Sequence, residues 1–491
     1  MNKLISTLLN YSFQYLSTSE DDYLFLSNYL MNALEVKDFH YVENDVSSYT
    51  VPDELVKSLI NRLLEIGYDE ANANKKVCEI FGVLSPRPSE VRRNFFSLYE
   101  EEAKLATDYL FDLSIKNNYV QKTKIDQNIV IDKENEYGII ATINLSKPEK
   151  NNADIAKALK IQTDAVYYPS CAICIENEGC YGSSKTEPRN NLRLIPLTLS
   201  DNKWYLQYSP YGYYNEHCIV IHQDHIPMCV NKSNTRALFD FVDIFPHYFI
   251  GANSDLPIVG GSILTHEHFQ GGRFEMPLMK AKVKQTIKHK IYDDLVFDIM
   301  EWPCFVLRIT GNDKEKIIDV IDEFYQKYLG YENKDILLFS KTGDVRHNTM
   351  TTIVNKNQDG YHAYLLFRNN KTNEQYEGGI FHVRKENQHI KNEGIGLIEA
   401  MGLFIFPARL KRQLKAVEDI VKDPSIKDEM FNKYEDLKQF EGTIQLLMDK
   451  TYNSLDDYLL HVGKNILEDI SIFKFDKDGS SLKQFLALLG F

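Results

Sequence analysis

Three observations predict an α+β fold with a mainly antiparallel sheet, flanking helices and helical extensions at both ends. Residues 1 to about 125 carry apolar side chains at helical spacing. From Asn128 the texture changes to short β-type runs, many joined by links too short for crossover helices. From about Lys411 the chain is again helical and charged. These shifts divide the chain into 1–125, 126–285, 286–410 and 411–491.

Taken in order, Leu4, Leu8, Leu9 and Phe13 recur on one helical face, as do Leu55, Leu59, Leu63 and Leu64, with Gly67 as a stop. The turn Ser85-Pro-Arg-Pro-Ser-Glu90 then precedes a helix expected from about Val91 to Leu113. Strands are expected at Ile129–Ile131, Ile139–Leu145, Leu192–Leu199 and Trp204–Tyr208, the last two joined by a turn at Asp201-Asn202. A run at His217–Ile221, a helix over Arg236–Phe245 and a strand at Tyr248–Gly251 follow. Further on, Lys314–Leu329 reads as helix and Ile336–Phe339 as a short strand. Met350–Val354 and Tyr361–Arg368 read as a hairpin over Asn357–Gly360.

At 491 residues the chain can bury a sizeable core in two or three domains. Its formal net charge of -14 argues against nucleic acid as a partner, so any phosphate must be held by local donors. No window approaches the roughly 20 apolar residues of a spanning helix, and Met1–Leu16 fits an amphipathic helix better than a signal peptide. Seven cysteines, an odd number, suggest reduced thiols and a cytoplasmic location, with no membrane association.

The chemistry centres on Gly260-Gly261-Ser262-Ile263-Leu264-Thr265-His266-Glu267-His268-Phe269-Gln270-Gly271-Gly272. Extended backbone would point His266, His268 and Gln270 to one face. The flanking glycines allow close backbone approach, as a phosphate needs. A helical zinc motif requires His-Glu-x-x-His, one turn apart, and the spacing here excludes it. On these residues alone, a cross-strand polar pair and a metal site stand beside the reading as a nucleophile.

The string resembles the His-x-His-x-Gln motif of the histidine-triad superfamily, and further blocks are similar to class II galactose-1-phosphate uridylyltransferases. They are Tyr168–Cys174 followed by Glu176–Gly179, Gln207–Tyr211, Tyr214–Val220, Phe245–Gly251, Arg346–Thr349, Gly394–Gly402 and Pro407–Leu410, in the expected order. The resemblance implies histidine-triad-like sheet halves. It also implies transfer of UMP from UDP-glucose to galactose-1-phosphate through a uridylyl-histidine. His268 is then the nucleophile. Gln270 is a donor to phosphoryl oxygens, with Ser262 and the Gly260-Gly261 amides beside it. Ser262 lies one residue further from the first histidine than the class I serine does.

By the same resemblance Asn253 and Asn177 stand where the family contacts nucleotide, and Glu399 accepts from sugar hydroxyls, beside a reading of Glu399 as a surface or salt-bridged glutamate in an apolar strand. Arg346 could serve phosphate or cap a strand, and Arg87 is a phosphate clamp or a solvated turn arginine. The class I zinc set maps to Cys171, Cys174, His225 and His266, against a bland reading as buried thiols and with Cys180 as a rival ligand. No organic cofactor is expected, and a homodimer is one expectation for assembly. A related nucleotide hydrolase or phosphorylase, or a sugar-nucleotide-binding protein without catalysis, is the alternative function.

Overall fold

The computed structural model describes residues 1–145, 168–182 and 186–491. It contains two compact units, Met1–Asp126 with Thr163–Ile226, and Gln127–Gln162 with Pro227–Phe491. The elements below are numbered in chain order through both.

The first unit holds α1 (Asn2–Tyr15), α2 (Tyr23–Ala33), α3 (Asp53–Glu65), α4 (Glu70–Leu84), α5 (Pro88–Glu101), α6 (Ala103–Lys116) and α7 (Lys122–Asp126). Leu8, Leu55, Leu59, Leu63 and Phe95 are buried, as their spacing requires. Gly67 follows α3 at φ +102°, a conformation that suits glycine. The helix expected over Val91–Leu113 is instead two, because Glu102 is extended and separates α5 from α6. Glu100, Glu101 and Glu102 crowd the C-terminal end of α5, where the helix dipole disfavours negative charge. Three antiparallel strands follow, β3 (Ile195–Leu199), β4 (Asn202–Tyr208) and β5 (Cys218–His222). Ser200 and Asp201 both take positive φ in the β3–β4 turn, the geometry that matches strand twist in a two-residue hairpin.

The second unit holds a seven-stranded antiparallel arrangement in the order β7-β6-β13-β14-β10-β9-β8. Its strands are β6 (Phe249–Ala252), β7 (His268–Gly272), β8 (Val283–Ile287), β9 (Val296–Met300), β10 (Leu307–Gly311), β13 (Asn348–Asn357) and β14 (Gly360–Asn369). A short pair, β11 (Lys341–Thr342) and β12 (Val345–Arg346), stands apart. A smaller sheet joins β1 (Ile129–Ile131), β2 (Ile140–Asn144) and β15 (Leu403–Pro407).

The helices of this unit are α8 (Lys232–Ile244), α9 (Pro277–Lys280), α10 (Lys314–Leu329) and α11 (Leu397–Ala400). The charged tail supplies α12 (Arg409–Lys422), α13 (Lys427–Lys433), α14 (Glu441–Met448), α15 (Leu455–Ile470) and α16 (Ser480–Leu489). Phe239 of α8 meets Tyr361, and Tyr328 of α10 meets Phe367. Tyr361 and Phe367 are an even number of residues apart on β14, so these helices cover one face of the sheet. The opposite face is left for the residues discussed next.

The β13–β14 hairpin forms as expected, with strands longer than the apolar pattern marked. Ile336–Phe339 is not a strand. Asn333 caps a 3₁₀ turn over Lys334–Ile336 by accepting from the Asp335 amide, and Leu337 is left-handed. Among the described residues no helix is long and apolar enough to cross a membrane.

Candidate active site

The glycines of the central string are there for space. A Cβ on Gly260 would stand 2.3 Å from the Ser254 oxygen and 2.8 Å from that of Leu256. One on Gly271 would stand 2.3 Å from the Phe249 oxygen. Gly260 bridges to Ser254, closing a loop in which Ile258 takes φ +76°. That conformation is costly for a β-branched residue. The loop delivers the chain to β7 beside β6, with Gln270 opposite Gly251.

The ladder begins only at His268, so His268 and Gln270 share a strand face while His266 lies in the bend before it. The expected extended run was one turn too long, for a visible reason. The His266 carbonyl is directed at the ring of the next histidine, two residues on. It accepts from Nδ1 of His268 at 2.8 Å, and a carbonyl can only accept. Nδ1 therefore carries the proton and Nε2 carries the lone pair. Burial holds the imidazole down to about 4, so the ring is neutral at pH 7. Glu267 is buried on the other side. Its Oε2 accepts from the Cys229 amide at 2.7 Å, and desolvation pushes its carboxyl up to about 8.

Asn253, which follows β6, links two segments. Its Oδ1 accepts from the Leu397 amide at 2.8 Å, and a Cβ on Gly261 would stand 2.9 Å from its Nδ2. On the far side, Glu399 sits in the short helix α11 rather than in a strand. Lys391, fully buried, donates to Glu399 Oε1 at 2.9 Å, to Glu393 Oε2 at 2.8 Å and to the Ile405 carbonyl at 3.1 Å. A Cβ on Gly396 would stand 3.6 Å from the other oxygen of Glu399. Arg346 is ion-paired with Asp255 at 2.7 Å and also donates to the Tyr325 hydroxyl. Asp255 accepts in addition from Thr349. Ser262 is exposed.

In the first unit, Cys171, Cys174 and His225 bring their ligand atoms within 4.8 Å of one another. The two sulfurs are 3.4 Å apart, and Cys174 Sγ is 3.1 Å from His225 Nδ1. Two thiolates on a tetrahedral zinc stand about 3.8 Å apart, so this Cys and His cluster is compatible with zinc. The hydrogen bond from Cys174 draws the Cys171 thiol below its ordinary value. Asn177 donates to the carbonyls of both cysteines, at 2.9 and 2.8 Å, and so shapes their turn. Arg87 is the N-cap of α5, exposed, with its amide on Glu90. None of the seven cysteines forms a disulfide.

The N-terminal domain of the galactose-1-phosphate uridyl transferase family matches residues 36–227, and its C-terminal domain matches residues 241–432. The chain belongs to that family. A galactose-1-phosphate uridylyltransferase of Clostridium acetobutylicum is 41% identical over 478 residues, covering 96% of this chain and 92% of the relative. One of Caldanaerobacter subterraneus subsp. tengcongensis is 38% identical over 509 residues, covering 99% and 98%. The structure of yeast Ap4A phosphorylase Apa2 with Ap4A matches at 10% identity, over 66% of this chain and 94% of that one. Its TM-score is 0.35, too distant to inform the site.

Within this uridyl transferase chain the second unit brings together His268, Gln270, the glycine loop, Asn253 and Glu399. Arg346 is engaged by Asp255, and Asn177 by the cysteine turn. Sequence reading missed Lys391 and Asp255. Neither stood out, because Lys391 lies in a charged stretch with Arg384, Lys385, Glu386 and Glu393, and Asp255 follows the polar pair Asn253-Ser254.

Proposed function

We propose that this chain moves UMP from UDP-glucose to galactose-1-phosphate through a uridylyl-His268 intermediate. The observation that carries the reading is the hydrogen bond from His268 Nδ1 to the His266 carbonyl, which leaves Nε2 as a neutral nucleophile. Nε2 attacks the α-phosphorus of UDP-glucose, the bond to the bridging oxygen breaks, and glucose-1-phosphate leaves. The phosphate oxygen of galactose-1-phosphate then attacks the same phosphorus, and the imidazole departs with its lone pair restored. Little proton transfer is needed, so charge stabilisation decides the rate. Gln270, on the same strand face, is the proposed side-chain donor, with Ser262 and the amides of the glycine loop beside it. Asn253 positions that loop, and Glu399, oriented by Lys391, accepts from sugar hydroxyls. Arg87 is assigned to substrate phosphate as an arginine beside a helix start, and Asn177 and Arg346 to the substrate sites through the segments they brace.

Cys171, Cys174 and His225 are proposed to hold zinc, with His266 as the fourth ligand by the family resemblance. The metal would brace the chain around the reactive histidine and supply no step. Mass spectrometry of the protein mixed with UDP-glucose tests the mechanism. A UMP-sized adduct on His268 is expected, and its absence under conditions of full turnover would overturn it.

A further inference from the structure

Among the described residues of the second unit, Arg368 is a buried charge whose guanidinium has no hydrogen-bonding partner. It is 1% exposed, and Nε and both terminal nitrogens have no acceptor. His382, 2% exposed, lies beside it with its ring turned to the Asn392 backbone, and the guanidinium is among the charges that act on it. Burial brings Arg368 to about 10 and His382 to about 3, so at neutral pH one is a cation and the other neutral. Cys304, Tyr328 and Glu399 are the ionisable groups around the guanidinium. Lys391 and Lys474 are further charges around the imidazole. Glu399 supplies Arg368 with a field but no hydrogen bond, while its Oε1 accepts from Lys391.

The sheet register places Arg368 on the catalytic side. Gln270 is opposite Gly251, Gly251 opposite Ile353, and Ile353 opposite Tyr364. Directly paired residues share a face, as do residues two or four apart on one strand. Arg368 therefore projects from the same face as His268 and Gln270, three strands from β7, or roughly 14 Å at about 4.8 Å per strand. That is too far to serve the phosphorus that His268 attacks. A buried guanidinium with five unused donors matches an acceptor carrying several oxygens in fork geometry.

We propose that the Arg368 guanidinium binds a phosphoryl oxyanion at a second site on this face, distinct from the one at His268. The ligand enters when the segment carrying His382 opens at Gly378 and Gly379, since both side chains are buried. The oxyanion is either free inorganic phosphate or the phosphoryl group of a sugar phosphate. The inference needs no uridylyl transfer, so its test and the adduct test fail independently.

The test is thermal melting of the full chain with inorganic phosphate, glucose-1-phosphate or glucose at constant ionic strength, for wild type, Arg368→Met and Arg368→Lys. Phosphate should raise the wild-type midpoint saturably and glucose should not. Arg368→Met should weaken the apparent affinity at least about tenfold, as loss of a charged hydrogen-bond donor does, with Arg368→Lys intermediate. A response to glucose-1-phosphate alone that Arg368→Met loses assigns the sugar phosphate as ligand. An equal response in wild type and Arg368→Met, or no response to either phosphate, overturns the proposal. So does an Arg368→Met protein that fails to fold or melts far below wild type without phosphate, because the guanidinium would then be paired within the fold.

Discussion

His268 Nδ1 stands 2.8 Å from the carbonyl oxygen of His266, and that contact decides which nitrogen of the ring can react. A main-chain oxygen has no proton to give, so it fixes the tautomer without a second titrating group. The same bond takes His266 out of the ladder, which explains why β7 begins where it does.

Replacing His268 by Asn keeps a polar side chain and removes the attacking nitrogen. Transfer should fall by at least about 10⁴-fold, in line with the loss of a covalent nucleophile, and no adduct should form. His268→Gly should recover part of the first half-reaction when imidazole is added. Adduct formation in His268→Asn at the wild-type rate would move the chemistry to another residue.

Gln270→Ala should slow both half-reactions by about 10²–10³-fold while some adduct still forms, if its amide stabilises phosphoryl charge. Single-turnover transfer of labelled UMP, read beside a melting curve, separates this from a packing role. A small rate loss with lower stability would assign Gln270 to packing.

The Cys171, Cys174 and His225 cluster should carry about one zinc per chain in protein purified without added metal. Chelation, or Cys174→Ser, should lower the melting midpoint, because metal binding couples to folding. Metal analysis showing near-zero occupancy, with melting unmoved by chelator, would return these side chains to the role of core thiols.

Buried neutral histidines should make stability fall in mild acid. Burial holds His382 at about 3 and His389 at about 4, against 6.5 unfolded. Below pH 6.5 the unfolded chain takes up protons that the folded chain refuses, so unfolding is favoured as pH falls. The contribution is fully present above about pH 6.5. It declines by about 1.4 kcal/mol per pH unit for each residue as the pH approaches 4. Urea denaturation at pH 7, 6 and 5 measures the slope; Glu267, raised to about 8, offsets one of the two rings, and a stability that rises toward acid would contradict the burial of both.

Gly260→Ala should destabilise the second unit by roughly 1–3 kcal/mol, the range for a forced overlap with fixed backbone. Transfer should fall further than stability alone accounts for, since the loop that precedes the reactive strand is displaced. Wild-type melting and rates in this variant would show that the Ser254 carbonyl can yield.

Much of this arrangement was legible in the residues because it depends on local periodicity. The spacing of Lys314–Leu329 marked its helix, and the alternation in the β13–β14 hairpin marked its strands. What could not be read depends on partners distant in sequence. Arg346 offers the same guanidinium to phosphate or to Asp255, and only the fold brings Asp255 to it. Glu399 lies in an apolar run that suggested a strand, yet Gly396 precedes a single helical turn there. The break at Glu102 was visible as three successive glutamates, but helical periodicity on both sides concealed it. The shared face of His268 and Gln270 needed only the alternation of a strand, whereas the departure of His266 from it needed a hydrogen bond that spacing does not encode.

Asn253 bears on how this scaffold could be re-engineered. Its carboxamide touches the turn before the proposed nucleophile through Gly261 and the start of the helix proposed to read the sugar through Leu397. The two segments are far apart in sequence yet share one small side chain as a spacer. Grafting a Gly394–Gly402 block from a relative with another sugar preference would therefore shift the reactive turn as well. A transplant that keeps the donor's own residue at position 253 and its glycine turn should retain activity where the block alone loses it. The practical unit of exchange is the pair of segments together with the asparagine between them.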